Sequence, residues 1–303
     1  MKTIHFLLSI VLLILIGCTH RKTNKDGNEM QKTAISSTND LVRVPDSWIE
    51  NRVSKAKQRL SKTEAGKIIW QSMEAHGGLE NWYKNGPVSF HFDYQPLDNG
   101  VRRNTYQTID TWSLKVKHSD ARNQSEQFGW NGNTFWVKAK DSTTFDYDTR
   151  FWSLTPTYFV AQPFILDGSG VNLSKLEKVR YKDIDYDRVK VTFDPGTGDA
   201  PDDYYILYLE ATTHKLKVIR YIVSYPGYFE KGNHLPEKFM ELEGEQTISG
   251  ISFPRSFKTY WLNDKEEPGE HITDIDLTEI KFSPELKSHF FDIPQGAKTI
   301  DSL

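Results

Sequence analysis

Cysteine is almost absent: Cys18 is the only one among 303 residues. A disulfide framework within the chain is therefore excluded, and so is a zinc site built on cysteine ligands. The short motifs that position reactive groups are missing as well. There is no G-x-S-x-G elbow, no P-loop, no H-E-x-x-H and no G-x-G-x-x-G between a strand and a helix. Nor is there a basic stripe, since 38 Lys and Arg are interleaved with 41 Asp and Glu for a formal net charge of −3. That balance argues against nucleic acid as a partner. No apolar run reaches the ~20 residues that a membrane-spanning helix needs. The sequence thus designates no catalytic residue and no metal ligand, and it implies no cofactor.

What is present begins at the N-terminus. Lys2 precedes an apolar run from Phe6 to Ile16, broken only by Ser9, and the run ends at Leu15-Ile16-Gly17-Cys18. A positive start, a short apolar stretch and a small residue before the cut make a secretory signal peptide over residues 1–17. The alternative is a retained signal with a chance cysteine at its end. Leu15-Ile16-Gly17-Cys18 resembles the bacterial lipobox, and the resemblance implies thioether lipidation of Cys18, cleavage before it and acylation of the new amino terminus. Several acyl chains would anchor durably where one binds only marginally. Residues 18–45 are rich in Lys, Asn, Thr, Ser and Asp with few large apolar side chains, the composition of a disordered tether. Such a tether reaches on the order of 30 Å. Thr19 stands where the best-known sorting rule places an inner-membrane aspartate, which favours the outer membrane, facing the periplasm.

Residues 46–303 read as one domain. Ile49, Val53, Ala56 and Leu60 recur at helical spacing, and Ser61 with Glu64 predicts a capping box for a second stretch through Ile69 and His76. Gly77-Gly78 is a helix stop. After Pro87 the period changes to two: Val88, Phe90, Phe92 and Tyr94 form one apolar face, and Trp112, Leu114 and Val116 another. Asn131-Gly132 predicts a tight hairpin with both turn residues at positive φ. Val189 to Phe193, Tyr204 to Leu209, Leu216 to Tyr225, Gln246 to Ile248, Ser256 to Trp261 and Ile272 to Phe282 continue as strands with few helices between them, so the sheet is antiparallel. Between Phe151 and Leu173, aromatics crowd around Pro156 and Pro163 and neither period fits. A helical lid over the open face of a curved sheet accounts for that segment.

The lipobox and tether, Ala75-His76-Gly77-Gly78 with Trp82, Gly129-Trp130-Asn131-Gly132 with Trp136, Gln162-Pro163-Phe164, Asp202-Asp203-Tyr204-Tyr205 and Phe291-Asp292-Ile293-Pro294 together resemble a family of Gram-negative lipoproteins. Its fold is similar to that of the lipoprotein-sorting carriers LolA and LolB and of RseB. The resemblance covers most of residues 60–295. It implies a mainly β (α+β) fold, a strongly curved antiparallel sheet forming an unclosed β-barrel of about eleven strands, with an N-terminal helix and a helical lid around an apolar cavity. In the carriers a buried arginine holds the lid; Arg102 and Arg103 are the candidates here, with no alignment that assigns the role.

The cavity candidates are Trp130, Trp136, Trp152, Tyr158, Phe159 and Phe164, each of which can equally serve as core. His76, Gly77, Gly78 and Trp82 carry the motif without an assigned role, His76 either at a cavity mouth or capping its helix through the last carbonyls. Three functions stay open: a membrane-anchored binder of a hydrophobic small molecule, acyl chain or acylated protein; an envelope sensor or scaffold with a protein partner; and a hydrolase or lyase using carboxylates such as Asp93 or Asp110. Asp183, Asp185 and Asp187 alternate like the opening of a calcium loop, but Arg188 stands where such a loop needs glycine, so a solvated turn is the better account.

Overall fold

The computed structural model describes residues 41–42 and 44–300. The signal segment, Cys18 and nearly all of the tether lie outside them. Leu41 already forms a β-bridge with Lys287, and the Val42 amide donates to Leu286 O at 2.7 Å.

Three helices come first: α1 (Asp46–Leu60), α2 (Glu64–Ala75) and α3 (Leu79–Lys84). Of the four residues its period singled out, helix α1 buries Ile49, Ala56 and Leu60 and half-buries Val53, and it packs on α2 and α3. The cap of α2 differs from expectation. Thr63, not Ser61, is the N-cap, its hydroxyl accepting from Gly66 N at 3.0 Å, while Glu64 pairs with Lys67. Ser61 is instead the last residue of the preceding turn, where its amide still bonds to Lys57 O.

Strands follow: β1 (Val88–Pro96), β2 (Arg103–Ile109), β3 (Val116–Asp120), β4 (Gln127–Trp130) and β5 (Phe135–Lys138). After helix α4 (Thr149–Val160) and a 3-10 turn at Phe164–Asp167 come β6 (Val171–Tyr181), β7 (Ile184–Phe193), β8 (Tyr205–Glu210), β9 (Leu216–Tyr221) and β10 (Lys238–Glu243). The chain closes with the small hairpin β11 (Gln246–Ile248) and β12 (Ile251–Phe253), then β13 (Ser256–Leu262), β14 (Pro268–Phe282) and β15 (Lys298–Ile300). Thirteen of these form one antiparallel sheet in the order β15-β5-β4-β3-β2-β1-β14-β13-β10-β9-β8-β7-β6. Its terminal strands, β15 and β6, do not pair with each other, so the sheet curls without closing. Bulges bend it where β14 slips against β1 between Ser89 and His91, and against β13 beyond Thr259.

The inner face holds the main core. Phe90, Phe92, Val116, Phe128, Val189, Leu207, Ile219, Met240 and Phe257 meet there, all but inaccessible to water. Helix α2 packs on β6 and β7, and α4 packs on β3, β4 and β5, so the helices occupy the gap between the two sheet ends. The outer face has its own cover. Tyr186, Ile206, Tyr208, Val218 and Phe239 form a second cluster, and the tip of the β6-β7 hairpin reaches over it. Tyr181 sets its ring 5.3 Å from Phe239 and donates to Glu241 Oε1 at 2.8 Å. Beside them the buried Arg220 is held by Glu237 at 2.8 Å and Glu266 at 3.0 Å.

Two local readings need correction. Residues 110–115 form the β2-β3 turn, with Leu114 at φ 56°, so strand β3 starts only at Val116. Asp110 causes this, because its carboxylate accepts from Trp112 N and Ser113 Oγ and its carbonyl from Leu114 N. The hairpin at Asn131-Gly132 forms, but over a four-residue loop in which only Gly132 takes positive φ (95°). The Asn131 side chain instead accepts from Asn133 N and Thr134 N at 3.0 and 2.8 Å, an Asx turn.

Candidate functional site

Residues 151–173 fit neither period because α4 is covered nearly all round and is followed by the 3-10 turn at Phe164–Asp167 instead of by a further regular element until Val171. It lies between the sheet's inner face and the loops, burying Arg150, Trp152, Ser153, Pro156, Thr157, Phe159 and Val160. Asp148 caps its start, accepting from Arg150 N at 2.9 Å. Both ends of this lid are tied down. At the N-terminal end, Arg150 donates to the Tyr225 hydroxyl, and Phe151 packs on Tyr225 and Tyr228 with ring centroids 4.9 and 5.2 Å apart. Beyond the C-terminal end, Arg52 of α1 holds Asp167 with two bonds, the Nη2 contact being 2.6 Å, and Tyr83 of α3 donates to the same carboxylate at 2.6 Å. Arg59 adds a bond to Leu166 O at 2.7 Å. Midway, His118 Nε2 on β3 donates to Ser153 O at 2.9 Å. Burial lowers the His118 pKa to about 4, so the ring is neutral.

Neither Arg102 nor Arg103 clamps the C-terminal end. Arg102 is spent on Asp93, at 2.7 Å through Nε. Arg103 does touch the lid: its guanidinium lies 4.7 Å from the Trp152 ring and 5.0 Å from Tyr94.

Three clefts surround the inner flank of α4, and all three are lined by Tyr158 and Asp199. The largest, about 710 Å³, opens between α4, the edge formed by β5 and β15, and the β7-β8 loop; Trp130, Phe135, Leu154 and Ile300 give it an apolar lining, with Arg150 and Thr157 as polar groups. A second, about 220 Å³, lies under Ile165, Leu166, Val171 and Phe193. The third, about 70 Å³, is enclosed by Phe151, Trp152, Phe159, Tyr205 and Tyr221, with Lys238 at its wall. Tyr158 donates to Asp199 Oδ1 at 2.8 Å, which ties the lid to the β7-β8 loop between the clefts. A few residues along that loop, Asp203 accepts from Ser224 N and Oγ at 2.6 and 2.7 Å. Desolvation raises Asp199 and pushes Asp203 up to about 6.

Of the six aromatic candidates, Trp130, Trp152, Tyr158 and Phe159 line this space. Trp136 and Phe164 do not. Trp136 pairs with Gly129 and so faces away from Trp130 and Phe135; it is wholly buried, and its indole occupies the room left by the missing Gly129 side chain. Phe164 stacks on Trp82 at 4.9 Å and 9° and belongs to the core. Arg150, Asp199 and Leu114 were missed. Only a three-dimensional argument finds them, since nothing in their local sequence separates them from ordinary polar or turn residues.

The His76-Gly77-Gly78 motif sits elsewhere, at the junction of α2, α3 and the β11-β12 turn. His76 Nδ1 lies 2.8 Å from Ser72 O, and its carbonyl accepts from Ser252 N. Burial brings the His76 pKa down to about 4. Gly77, at φ 115°, approaches Gly250 O so closely that a Cβ would stand 2.1 Å from it.

The carboxylates considered for hydrolysis are engaged locally. Asp93 is bound by Arg102 and Gln95, and Asp110 builds the β2-β3 turn. Asp183 tips the β6-β7 hairpin, Asp185 and Asp187 pair with Arg180 and Lys178, and no metal-ligand cluster occurs among the described residues.

No family model and no curated relative matches the sequence. Solved structures with a similar fold include a LolA superfamily protein from Nitrosomonas europaea, 12% identical, covering 77% of this chain and 96% of that one with a TM-score of 0.46. A DUF1329 family protein from Desulfovibrio piger, 11% identical, covers 75% and 97% with a TM-score of 0.49. A putative outer membrane lipoprotein-sorting protein domain from Vibrio parahaemolyticus, 9% identical, covers 75% and 95% with a TM-score of 0.45.

Proposed function

We propose that this chain is a lipid-anchored protein of the cell envelope, held through Cys18 at the outer membrane, that takes up an acyl-bearing ligand beneath α4 and releases it without chemical turnover. The observation that carries this reading is the shared lining of the three clefts. Tyr158 and Asp199 border all three, with Ala200, Asp203 and Tyr205 shared by the two smaller cavities and Leu114 and Gly198 by the 710 and 220 Å³ clefts. An outward swing of α4 that carries Tyr158 away therefore opens the 710 Å³ cleft toward the two smaller cavities. The combined space falls in the range of ligand pockets. The inner wall around it is otherwise filled by its own side chains, so uptake requires that swing. Burying a chain of a dozen methylenes contributes on the order of 10 kcal/mol before ordering costs, enough to offset the lost lid contacts and still leave binding reversible.

A fluorescent acyl probe titrated into the detergent-extracted, delipidated protein tests this. Saturable binding displaced by palmitate is expected. Absence of saturable binding, together with native mass spectra that never show a co-purified lipid, would rule the carrier reading out. Metabolic labelling with an alkyne fatty acid tests the anchor: the wild-type chain is labelled and Cys18→Ser is not if the cysteine is lipidated, and an unlabelled wild-type chain would rule the anchor out.

A second reading rests on Tyr228, 48% exposed on the loop that latches the lid. A protein partner gripping that loop would act directly on α4. Cross-linking in cells with a photoreactive residue at position 228 recovers a discrete partner if this is so, and no reproducible product if the loop serves only as a latch.

A further inference from the structure

Three cations around the N-terminal half of α4 rest on aromatic rings instead of carboxylates. Arg103, the first residue of β2, lies over Tyr94, Trp152 and, at 5.7 Å, Tyr147. Lys238, the first residue of β10, has its ammonium 5.2 Å from the Trp261 ring and 5.8 Å from Tyr221. Arg150 stands 4.5 Å from Phe135 and 5.4 Å from Tyr225. The other buried arginine, Arg220, is matched by two glutamates. Among the described residues, none of these three has an acidic partner within ion-pair distance.

The sheet brings two of them to one place. Arg103 pairs with Tyr94 near the end of β1, and Lys238 pairs with Tyr221 at the end of β9, so both project from the inner face at the same end of the sheet. Tyr94, Tyr221, Trp152 and Lys238 are all walls of the smallest cavity. Asp199 and Asp203 wall the same cavity, but none of the nearby carboxylates reaches either cation, and their hydrogen bonds run to neutral donors. Asp199 accepts from Tyr158, Asp203 from Ser224, and Asp98 in the β1-β2 turn from Gly100 N. Meanwhile the Nε-H groups of Arg103 and Arg150 are buried without an acceptor. Unpaired donors and cations in such surroundings are costly unless an anion meets them.

The geometry points to an anion site in which Lys238 and Arg103 receive the acidic oxygen headgroup, carboxylate or phosphate, of an amphiphile whose acyl chain lies under α4. This rests on the reading of the clefts as an acyl-binding space and names the class of ligand they take. The ligand is an amphiphile because the cavity next to the two cations is walled by Phe151, Trp152 and Phe159, which a bare anion would leave in contact with water.

The test uses the full chain and dansylaminoundecanoic acid beside its methyl ester. Wild type binds the acid at least about tenfold more tightly than the ester, the scale of one charge-assisted hydrogen bond. Lys238→Gln brings the acid-to-ester affinity ratio down toward one, and Lys238→Arg restores it; the ratio is read within each variant, and thermal melts confirm that each is folded. Equal affinity of wild type for acid and ester overturns the headgroup assignment and leaves the acyl-binding reading standing. Failure to bind either probe overturns that reading instead. Dodecyl phosphate is expected to displace the acid probe where inorganic phosphate does not. Equal displacement by the two would also sink the proposal.

Discussion

The hydroxyl of Tyr158 donates to Asp199 at the point where three clefts meet, so one hydrogen bond joins the lid helix to the loop that faces it. Removing the hydroxyl takes a donor from a half-buried carboxylate. Tyr158→Phe should therefore cost about 1–3 kcal/mol in urea unfolding and should speed uptake of an acyl probe, because the lid loses a tie on its cavity side. Stopped-flow fluorescence reads the rate. An unchanged rate in a variant that is measurably less stable would show that this bond holds the loop and not the lid.

Much of the fold is legible in the residues, and the illegible parts have physical causes. The alternation in Val88 to Tyr94 and in Val189 to Phe193 reports strands with one buried face, and both are present. Trp112 and Leu114 alternate just as well, yet they sit in a turn because Asp110 binds the amide and hydroxyl that follow it. Strand β6 escapes notice since it is an edge strand whose Glu, Lys and Arg face water. Glycine and tryptophan illustrate the limit at the site. Which of Trp130 and Trp136 faces the lid depends on register, and a shift of one residue exchanges them; pairing with Gly129 puts Trp136 on the outer face. The cations of the inner wall were unreadable for a related reason, because Arg103 and Lys238 converge only after the sheet has curled.

Acid should weaken the fold through its histidines. His118 and His76 are held neutral by burial at about 4, against about 6.5 in an unfolded chain. A histidine whose folded pKa is depressed binds its proton first in the unfolded state, so its contribution is complete above pH 6.5 and declines as the pH falls through 4. The loss is on the order of 3 kcal/mol per ring at most. His118→Gln keeps a donor for Ser153 O but cannot titrate. The urea midpoint of this variant should start lower at pH 7, because stacking on Phe128 at 4.2 Å is lost, and should fall less steeply toward pH 4 than that of wild type. Parallel curves for the two proteins would mean that His118 takes no part in the acid response.

Gly77 tests whether the His76-Gly77-Gly78 motif is a structural joint. Its φ of 115° lies where side chains are strained, and a Cβ would press within 2.1 Å of the Gly250 carbonyl, which is backbone and cannot swing aside. The neighbouring contacts leave little room to yield, since Ser252 N is bonded to the His76 carbonyl and Trp82, just beyond the motif, is stacked on Phe164 at the root of the lid. Gly77→Ala should cost more than about 3 kcal/mol, combining backbone strain with displacement of the β11-β12 hairpin. Gly78→Ala meets no atom closer than 3.9 Å and pays only for its φ of 88°, about 1–2 kcal/mol. The ranking is the prediction, read from chemical denaturation of both variants. If both lost acyl binding while keeping wild-type stability, the motif would belong to the ligand site and not to the joint between helices and hairpin.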